Sequence, residues 1–236
     1  RKFSSFFVKI VYLFLILWYN DKKEAIQGVV MRILLTAFEP FGTHKSNPTQ
    51  EILNALPDKI GKVKLYKQLL PVSFAQSFEA LHDRLREKSF DFIVLMGLSS
   101  QADGILLEMA AHNHAGSEKT DNDGMILQDP CIDPNAPLAY ASAIPYWEAL
   151  KSLQEAGYPV KVSSSAGNYV CNYIYFKCLH YIESNYLASK CVFVHMPATD
   201  DMGYDFSLPL DTEIKTITHL IEFLSDHQKL FKPLDF

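Results

Sequence analysis

The sequence has few cysteines, and their spacing argues against two classes of protein. Four cysteines occur in 236 residues, and none forms a CxxC pair or stands at metal-ligand spacing from a histidine. A disulfide-stapled scaffold is therefore not expected, and we predict a reducing, cytoplasmic compartment. His112 and His114 would share one face of a strand without a third ligand nearby, so we predict no metal site.

The chain also lacks the features of nucleic-acid and nucleotide binding. Its net charge is −5 at pH 7 and it has no basic stripe, which argues against a nucleic-acid partner. It contains neither a GxGxxG fingerprint nor a phosphate loop, so a nucleotide-binding α/β domain would lack its binding element. The segment from Ser163 to Gly167 is not a GxSxG nucleophile elbow, because no glycine precedes a central serine.

A long membrane-spanning run is missing as well. The apolar stretch from Phe6 to Tyr19 is interrupted by Lys9 and is shorter than the ~20 residues that a spanning helix needs. It resembles the apolar part of a signal peptide, but no small-residue cleavage site follows. Because Met31 directly precedes a strand pattern, we predict that residues 1–30 are a non-native or signal-like extension outside a single domain of residues 31–236. A signal or membrane anchor is the alternative.

From Met31 onward, strand and helix patterns alternate. The composition, 48% hydrophobic and 21% charged, is that of a globular protein. Residues 92–96 form a continuous apolar run, which is typical of a central strand covered on both faces. Further strand patterns lie at residues 33–38, 63–72, 105–111, 160–163 and 191–195. We therefore predict an α/β fold, a three-layer α/β/α sandwich with a mostly parallel, mixed central sheet.

Cys171 opens an apolar helical stripe. The residues at offsets 3, 4, 7, 8 and 11 from it share one helix face: Ile174, Tyr175, Cys178, Leu179 and Ile182. A preceding turn of small residues places the thiol in the first helical turn, where unpaired N–H groups and the helix dipole favour a nucleophilic thiolate. The alternative is that Cys171 only packs the helix against the core, since cysteine is among the most buried residues.

Two further side chains could act with such a thiol. His195 ends an apolar strand, where sites of α/β sheets form, and could take the thiol proton and return it to a leaving amine. Glu108 interrupts the apolar run 105–111, and burial of its carboxylate would demand a partner such as an imidazole. Two alternatives stay open: His195 as a core histidine bonded to backbone, and Glu108 as a solvent-facing residue of an edge strand.

Several short segments stand in a characteristic order along the chain. They are Phe38–Gly42 with Asn47–Thr49, Asp121–Gly124, Pro137–Pro145, Ala166–Asn172 and Val194–Pro197. Together they resemble the signatures of the pyroglutamyl-peptidase I, or pyrrolidone-carboxylate peptidase, family of cysteine peptidases, over residues 31 to about 224. Taken without the family, Asp121–Gly124 is a turn and not a calcium loop, because the remaining ligand spacing and the closing glutamate are missing.

The resemblance implies an α/β/α fold and removal of the N-terminal pyroglutamyl residue from peptides, without a metal or organic cofactor. The family's Cys–His–Glu triad falls on Cys171, His195 and Glu108. The family's pocket positions fall on Phe38, Phe41, Tyr169 and Val170. Peptides that begin with pyroglutamate are the implied partners. The core domain is expected to have no membrane partner, and homo-oligomers are left open.

An apolar pocket suits that substrate, because pyroglutamate is a lactam without a charged amine. The implied reaction begins when the Cys171 thiolate attacks the pyroglutamyl carbonyl, with N–H groups at the helix start stabilising the oxyanion. His195 protonates the departing amine, and later activates the water that cleaves the thioester. Glu108 orients His195.

Three positions depart from the family's pattern. Ala37 replaces the usual glycine, Met109 replaces a basic residue, and Glu118–Lys119–Thr120 stands where bacterial members have Arg-Ile-Pro. The missing arginine and isoleucine predict a changed rate or specificity. They also keep an alternative open, a catalytically impaired binding protein on the same fold.

Overall fold

The computed structural model describes residues 30–127 and 129–227. The chain divides into two compact units, residues 1–31 and 32–236. The predicted extension of residues 1–30 lies outside the described residues, apart from Val30. The elements below belong to the second unit, together with Met31, which opens the first strand.

The described residues form eleven strands and five α-helices. The strands are β1 (Met31–Phe38), β2 (Lys59–Ile60), β3 (Val63–Leu70), β4 (Phe92–Leu98), β5 (Ile105–Glu108), β6 (Ala110–His112), β7 (Ala139–Ala141), β8 (Val160–Ser163), β9 (Lys190–Met196), β10 (Ala198–Thr199) and β11 (Ser207–Leu208). The helices are α1 (Pro48–Ala55), α2 (Ser77–Glu87), α3 (Tyr146–Glu155), α4 (Val170–Ser184) and α5 (Leu210–Asp226), with a 3₁₀ turn at Asp200–Met202.

Seven strands make the central sheet, in the order β2-β3-β1-β4-β9-β5-β8. The pairs β1–β4, β4–β9 and β5–β8 are parallel, whereas β2–β3 and β5–β9 are antiparallel. Every residue of β4 is buried, as expected for an apolar strand at the centre of a sheet that is covered on both faces. The prediction of a mostly parallel, mixed sheet is confirmed.

The helices fall into two groups that flank the sheet. Helix α2 packs against α4, while α5 packs against both α1 and α3. Each group buries an apolar stripe. Because amphipathic helices must cover such a stripe, they pack against the sheet as layers. The arrangement is the three-layer α/β/α sandwich that the alternation of patterns predicted.

Two strand boundaries differ from the sequence prediction. The run 105–111 is not one strand, because at Met109 the chain leaves the central sheet. The Met109 N–H donates to the Ser163 carbonyl at 2.8 Å and the Met109 carbonyl accepts from the Ser142 N–H at 2.7 Å. Strand β6 then pairs with β7 in a separate small sheet. Strand β3 ends at Leu70 and not at residue 72, since Pro71 has no N–H to continue the ladder.

The register of β9 with its neighbours sets the site. Gly97 of β4 lies opposite His195 of β9, and Glu108 of β5 lies opposite Phe193 of β9. Residues opposite each other on paired strands, and residues two apart on one strand, point to the same face of a sheet. Glycine, histidine, phenylalanine and glutamate from three strands therefore share one face. Helix α4 covers it, with Tyr175 packed on Phe193 at 5.7 Å between ring centroids.

Candidate active site

Cys171 is the second residue of helix α4. The helix begins at Val170, and its N-cap residue, Tyr169, makes no side-chain capping hydrogen bond. The first bond of the helical ladder runs from the Tyr173 N–H to the Tyr169 carbonyl at 3.1 Å. The N–H groups at residues 170–172 precede this ladder, so the half-buried thiol lies where partial positive charge collects.

The thiol, an imidazole and a carboxylate form a continuous chain of contacts. His195 Nδ1 lies 2.7 Å from Glu108 Oε1, and Cys171 is near enough to the His195 ring to raise its pKa. Because Glu108 occupies Nδ1, Nε2 is the ring nitrogen that is left for the sulfur. The alternative for Glu108, a solvent-facing residue of an edge strand, is wrong. Glu108 is 0% exposed, and its strand β5 lies between β9 and β8, not at an edge. The alternative for His195, a core histidine bonded to backbone, is also wrong, since its ring bonds to the Glu108 side chain.

The surroundings of His195 favour its protonated form. Burial alone would lower the pKa of the imidazole, because charge is costly away from water. The hydrogen bonds to Cys171 and Glu108, together with their negative charge, outweigh that cost and raise the pKa of His195 to about 9. At neutral pH the ring therefore holds a proton that it can donate.

Cys171 lines a small apolar pocket. Its walls are Phe38, Phe41, Asn47, Val72, Leu98, Tyr169, Val170 and Cys171. All four positions that the resemblance suggested lie among them. His195 and Glu108 do not line the pocket, so the thiol separates the cavity from the two groups that could move its proton.

Asn47, Val72 and Leu98 were missed by sequence reasoning. Leu98 carries the one available signal, because it ends a buried strand, where α/β sites form. Asn47 was named only as part of the Asn47–Thr49 motif, and Val72 lies in a connecting segment that nothing local in the sequence brings to the cavity. Phe193 was missed too, although its ring centroid lies 4.7 Å from that of His195.

The turn at Asp121–Gly124 holds one wall of the pocket. The Asp121 carboxylate accepts from the Phe74 N–H at 2.8 Å and from the Met125 N–H at 2.8 Å. Asn122 donates from Nδ2 to Glu39 Oε1 and to the Pro40 carbonyl, each at 3.0 Å. The turn therefore ties the segment after β1 to the segment after β3, which carry Phe41 and Val72.

Tyr169 is held by the segment that departs from the family's pattern. Its hydroxyl donates to the Thr120 backbone carbonyl at 2.8 Å, and its ring meets Phe74 edge-on at 5.6 Å. Any residue at position 120 offers a carbonyl, so this contact survives the replacement of the usual proline. Burial, with the charges of Asp121 and Cys171, raises the pKa of Tyr169 to about 12, which keeps the hydroxyl as a donor.

A helix-start sulfur, a buried imidazole and a carboxylate beside an apolar pocket, on an α/β/α sandwich, define a cysteine hydrolase. The sequence profile of the pyroglutamyl peptidase family matches residues 31–227. The chain belongs to that family, and it is a cysteine-type peptidase.

Individual relatives agree with the family match. The pyrrolidone-carboxylate peptidase of Pyrococcus furiosus is 37% identical over 168 residues, 71% of this chain and 81% of the relative. That of Thermococcus onnurineus is 35% identical over 195 residues, 81% of this chain and 98% of the relative. The solved pyrrolidone carboxyl peptidase of Thermococcus litoralis superposes with a TM-score of 0.80 at 33% identity, covering 86% of this chain and 96% of the other.

These matches support the peptidase and not the impaired binding protein. In the described part of the chain, no helix combines the length and apolar character needed to cross a bilayer.

Proposed function

We propose that this protein hydrolyses the bond after an N-terminal pyroglutamyl residue of peptides. Cys171 is the nucleophile, His195 the general acid and base, and Glu108 the group that orients His195. The observation that carries this proposal is the position of Cys171, which lines the apolar pocket and lies beside an imidazole that Glu108 holds at 2.7 Å.

The reaction takes two steps, with His195 moving one proton in each. The Cys171 sulfur attacks the pyroglutamyl carbonyl carbon, and the N–H groups at the start of α4 stabilise the oxyanion. As the C–N bond breaks, the His195 imidazolium donates its proton to the leaving amine, which leaves a thioester. Neutral His195 then takes a proton from water, whose oxygen attacks the thioester, and pyroglutamic acid departs from the regenerated thiolate.

The pocket suits a small neutral ring. Phe38, Phe41, Tyr169 and Val170 would enclose the lactam, which carries no charged amine that would need a carboxylate partner. Asn47 is a poor candidate for binding the lactam, because its side chain already bonds the Glu39 carbonyl at 3.1 Å and Thr49 at 3.1 and 2.8 Å. Backbone groups at the pocket wall are therefore the expected partners of the lactam N–H and C=O.

The test is hydrolysis of a pyroglutamyl-anilide. We expect Cys171→Ala to lower kcat by at least about 10³-fold, because the covalent step is lost. Cys131→Ala is the matched control: it removes an exposed thiol that does not line the pocket, and should keep the wild-type rate. Equal rates for the wild type and Cys171→Ala would reject the assignment of the nucleophile.

We also propose a cytoplasmic location and a catalytic domain of residues 31–236, with residues 1–30 outside it. All four cysteines are free, which suits a reducing compartment. The family match over residues 31–227 supports the domain limits.

A further inference from the structure

The glycine opposite the catalytic histidine lies directly beneath the sulfur. Gly97 pairs in register with His195, and both positions face helix α4. Gly97 does not lie in a turn or a loop, where glycine is common; it is the sixth residue of a buried seven-residue strand. Glycine weakens a strand interior and often marks a place where another group approaches closely, so its presence here calls for a contact that excludes a side chain.

The contact is with Cys171 and Phe193. A Cβ built on Gly97 would lie 2.8 Å from Cys171 Sγ, 2.7 Å from Phe193 Cζ and 3.1 Å from Phe193 Cε1. Real Cβ atoms essentially never approach other atoms within 3.0 Å. The sulfur therefore occupies the space that a side chain at position 97 would fill.

We propose that Gly97 is a positioning residue: its missing side chain lets the Cys171 sulfur lie against β4, within hydrogen-bonding reach of His195. This inference rests on the proposed function of Cys171 and His195. It adds that the geometry of the pair depends on the absence of an atom in the neighbouring strand, and that any larger residue at position 97 separates the sulfur from the imidazole.

The sulfur, and not the phenyl ring, is the group that would move. Phe193 is 0% exposed and is packed between the rings of Tyr175 and His195, at 5.7 and 4.7 Å. Close packing leaves such a ring little room to shift. Cys171 is only half-buried and has the pocket on its other side, so a rotation of its side chain, or a small shift of the start of α4, relieves the contact.

The experiment compares Gly97→Ala with the wild type in two assays. We expect kcat for pyroglutamyl-anilide hydrolysis to fall at least about 10-fold with KM within about 3-fold, because a sub-ångström misplacement of the nucleophile affects chemistry more than binding. Alkylation of Cys171 by iodoacetamide at pH 7, followed by mass spectrometry relative to Cys131, should slow by a similar factor, because the sulfur has lost the imidazolium.

Gly104→Ala is the matched control. A Cβ at Gly104 would lie 2.8 Å from the Pro159 carbonyl oxygen, so this variant introduces an equally close contact away from the sulfur. It should lose thermal stability while Cys171 keeps its alkylation rate. If Gly97→Ala keeps the wild-type kcat and alkylation rate, the positioning role is refuted. The Cys171→Ala result would be unaffected, so the two proposals fail separately.

A second variant distinguishes the contact with the Cys171 sulfur from the contact with the Phe193 ring. It also tests the proposal if Gly97→Ala folds poorly. Phe193→Leu removes the ring atoms that a Cβ at position 97 would meet, but leaves the contact with the sulfur. The double variant Gly97→Ala/Phe193→Leu should still show slow alkylation and a low kcat relative to Phe193→Leu alone. Equal values for these two variants would assign the effect to the ring and overturn the proposal.

Discussion

Glu108 gives one carboxylate oxygen to His195 and keeps the other without a hydrogen-bond partner among the described residues. The side chain is 0% exposed. Burial of a carboxylate costs several kcal/mol unless a partner compensates, and the imidazolium of His195 is that partner. The pair is therefore mutually dependent: the carboxylate favours the charged ring, and the charged ring makes the buried carboxylate tolerable.

The pKa of His195 predicts the alkaline limit of activity. The pKa is raised from 6.5 to about 9, so the acid that protonates the leaving amine is present at neutral pH and is lost as the pH rises through about 9. We expect kcat/KM for the anilide to fall across that range. Glu108→Gln removes the negative charge, so the fall should move to lower pH, and kcat should drop by about 10²-fold.

The pH dependence of kcat/KM for the wild type and for Glu108→Gln measures the shift of the alkaline limit. Glu155→Gln, an exposed change on α3, is the control and should leave the profile unchanged. An alkaline limit that stays in place in Glu108→Gln would show that the carboxylate does not set the charge of His195.

Helix α4 is anchored at the residue that follows Cys171. Asn172 is 0% exposed and bonds the small sheet through three contacts: Oδ1 accepts from the His112 N–H at 2.9 Å, and Nδ2 donates to the carbonyls of His112 and His114 at 2.8 and 2.7 Å. These bonds tie the first turn of α4 to β6. The position of the sulfur therefore depends on a buried side chain that does not line the pocket.

Truncation of that anchor should be costly. Asn172→Ala leaves one buried N–H and two carbonyls without their partner, so we expect the free energy of unfolding to fall by about 3 kcal/mol. Asn168→Ala removes one exposed bond, to the Gly116 carbonyl at 2.9 Å, and should cost less than about 1 kcal/mol. Urea denaturation measures both. Equal losses would mean that the three bonds of Asn172 do not anchor the helix.

On the scale of the whole molecule, the packing of the helices against the sheet buries a second carboxylate that the site does not use. Glu213 of α5 is 0% exposed, and neither of its oxygens has a hydrogen-bond partner among the described residues. Burial, together with the charges of Glu51 and Asp200, raises the pKa of Glu213 from 4.5 to about 8. The folded protein therefore holds a proton at neutral pH that the unfolded chain releases.

The sign of this linkage predicts a loss of stability with rising pH. Between pH 4.5 and about 8 the folded state binds more protons at Glu213 than the unfolded state, so the free energy of unfolding contributed by this group falls as the pH rises. Glu213→Gln removes the titration. We compare the free energy of unfolding of Glu213→Gln with that of the wild type. Between pH 4.5 and pH 8, this difference should shift in favour of the variant by on the order of 4 kcal/mol.

Urea denaturation at a series of pH values measures that gain. Asp211→Asn, an exposed change on the same helix, should follow the wild type across the range. A constant difference between Glu213→Gln and the wild type would show that Glu213 is ionised at neutral pH in the folded protein.

The sequence by itself determined the alternation of the main strands and helices, the layered α/β/α class and the place of Cys171 in the first turn of helix α4. Each of these follows from local signals: the period of apolar residues, the turn of small residues before α4 and the apolar run of β4 are all read within a few residues of the chain. The motif resemblance pointed to the three reactive side chains, but residue patterns alone left Glu108 and His195 open.

The tertiary structure decided what those side chains meet. The bond from Glu108 to His195, the space at Gly97 and the turn at Asp121 all join segments tens of residues apart. The first two depend on the register of β9 with β5 and β4. The exit of the chain from the sheet at Met109 depends likewise on Ser142 and Ser163. Register is set by the packing of whole strands, and a slip of one residue would turn every side chain to the other face, so no local pattern could specify these contacts.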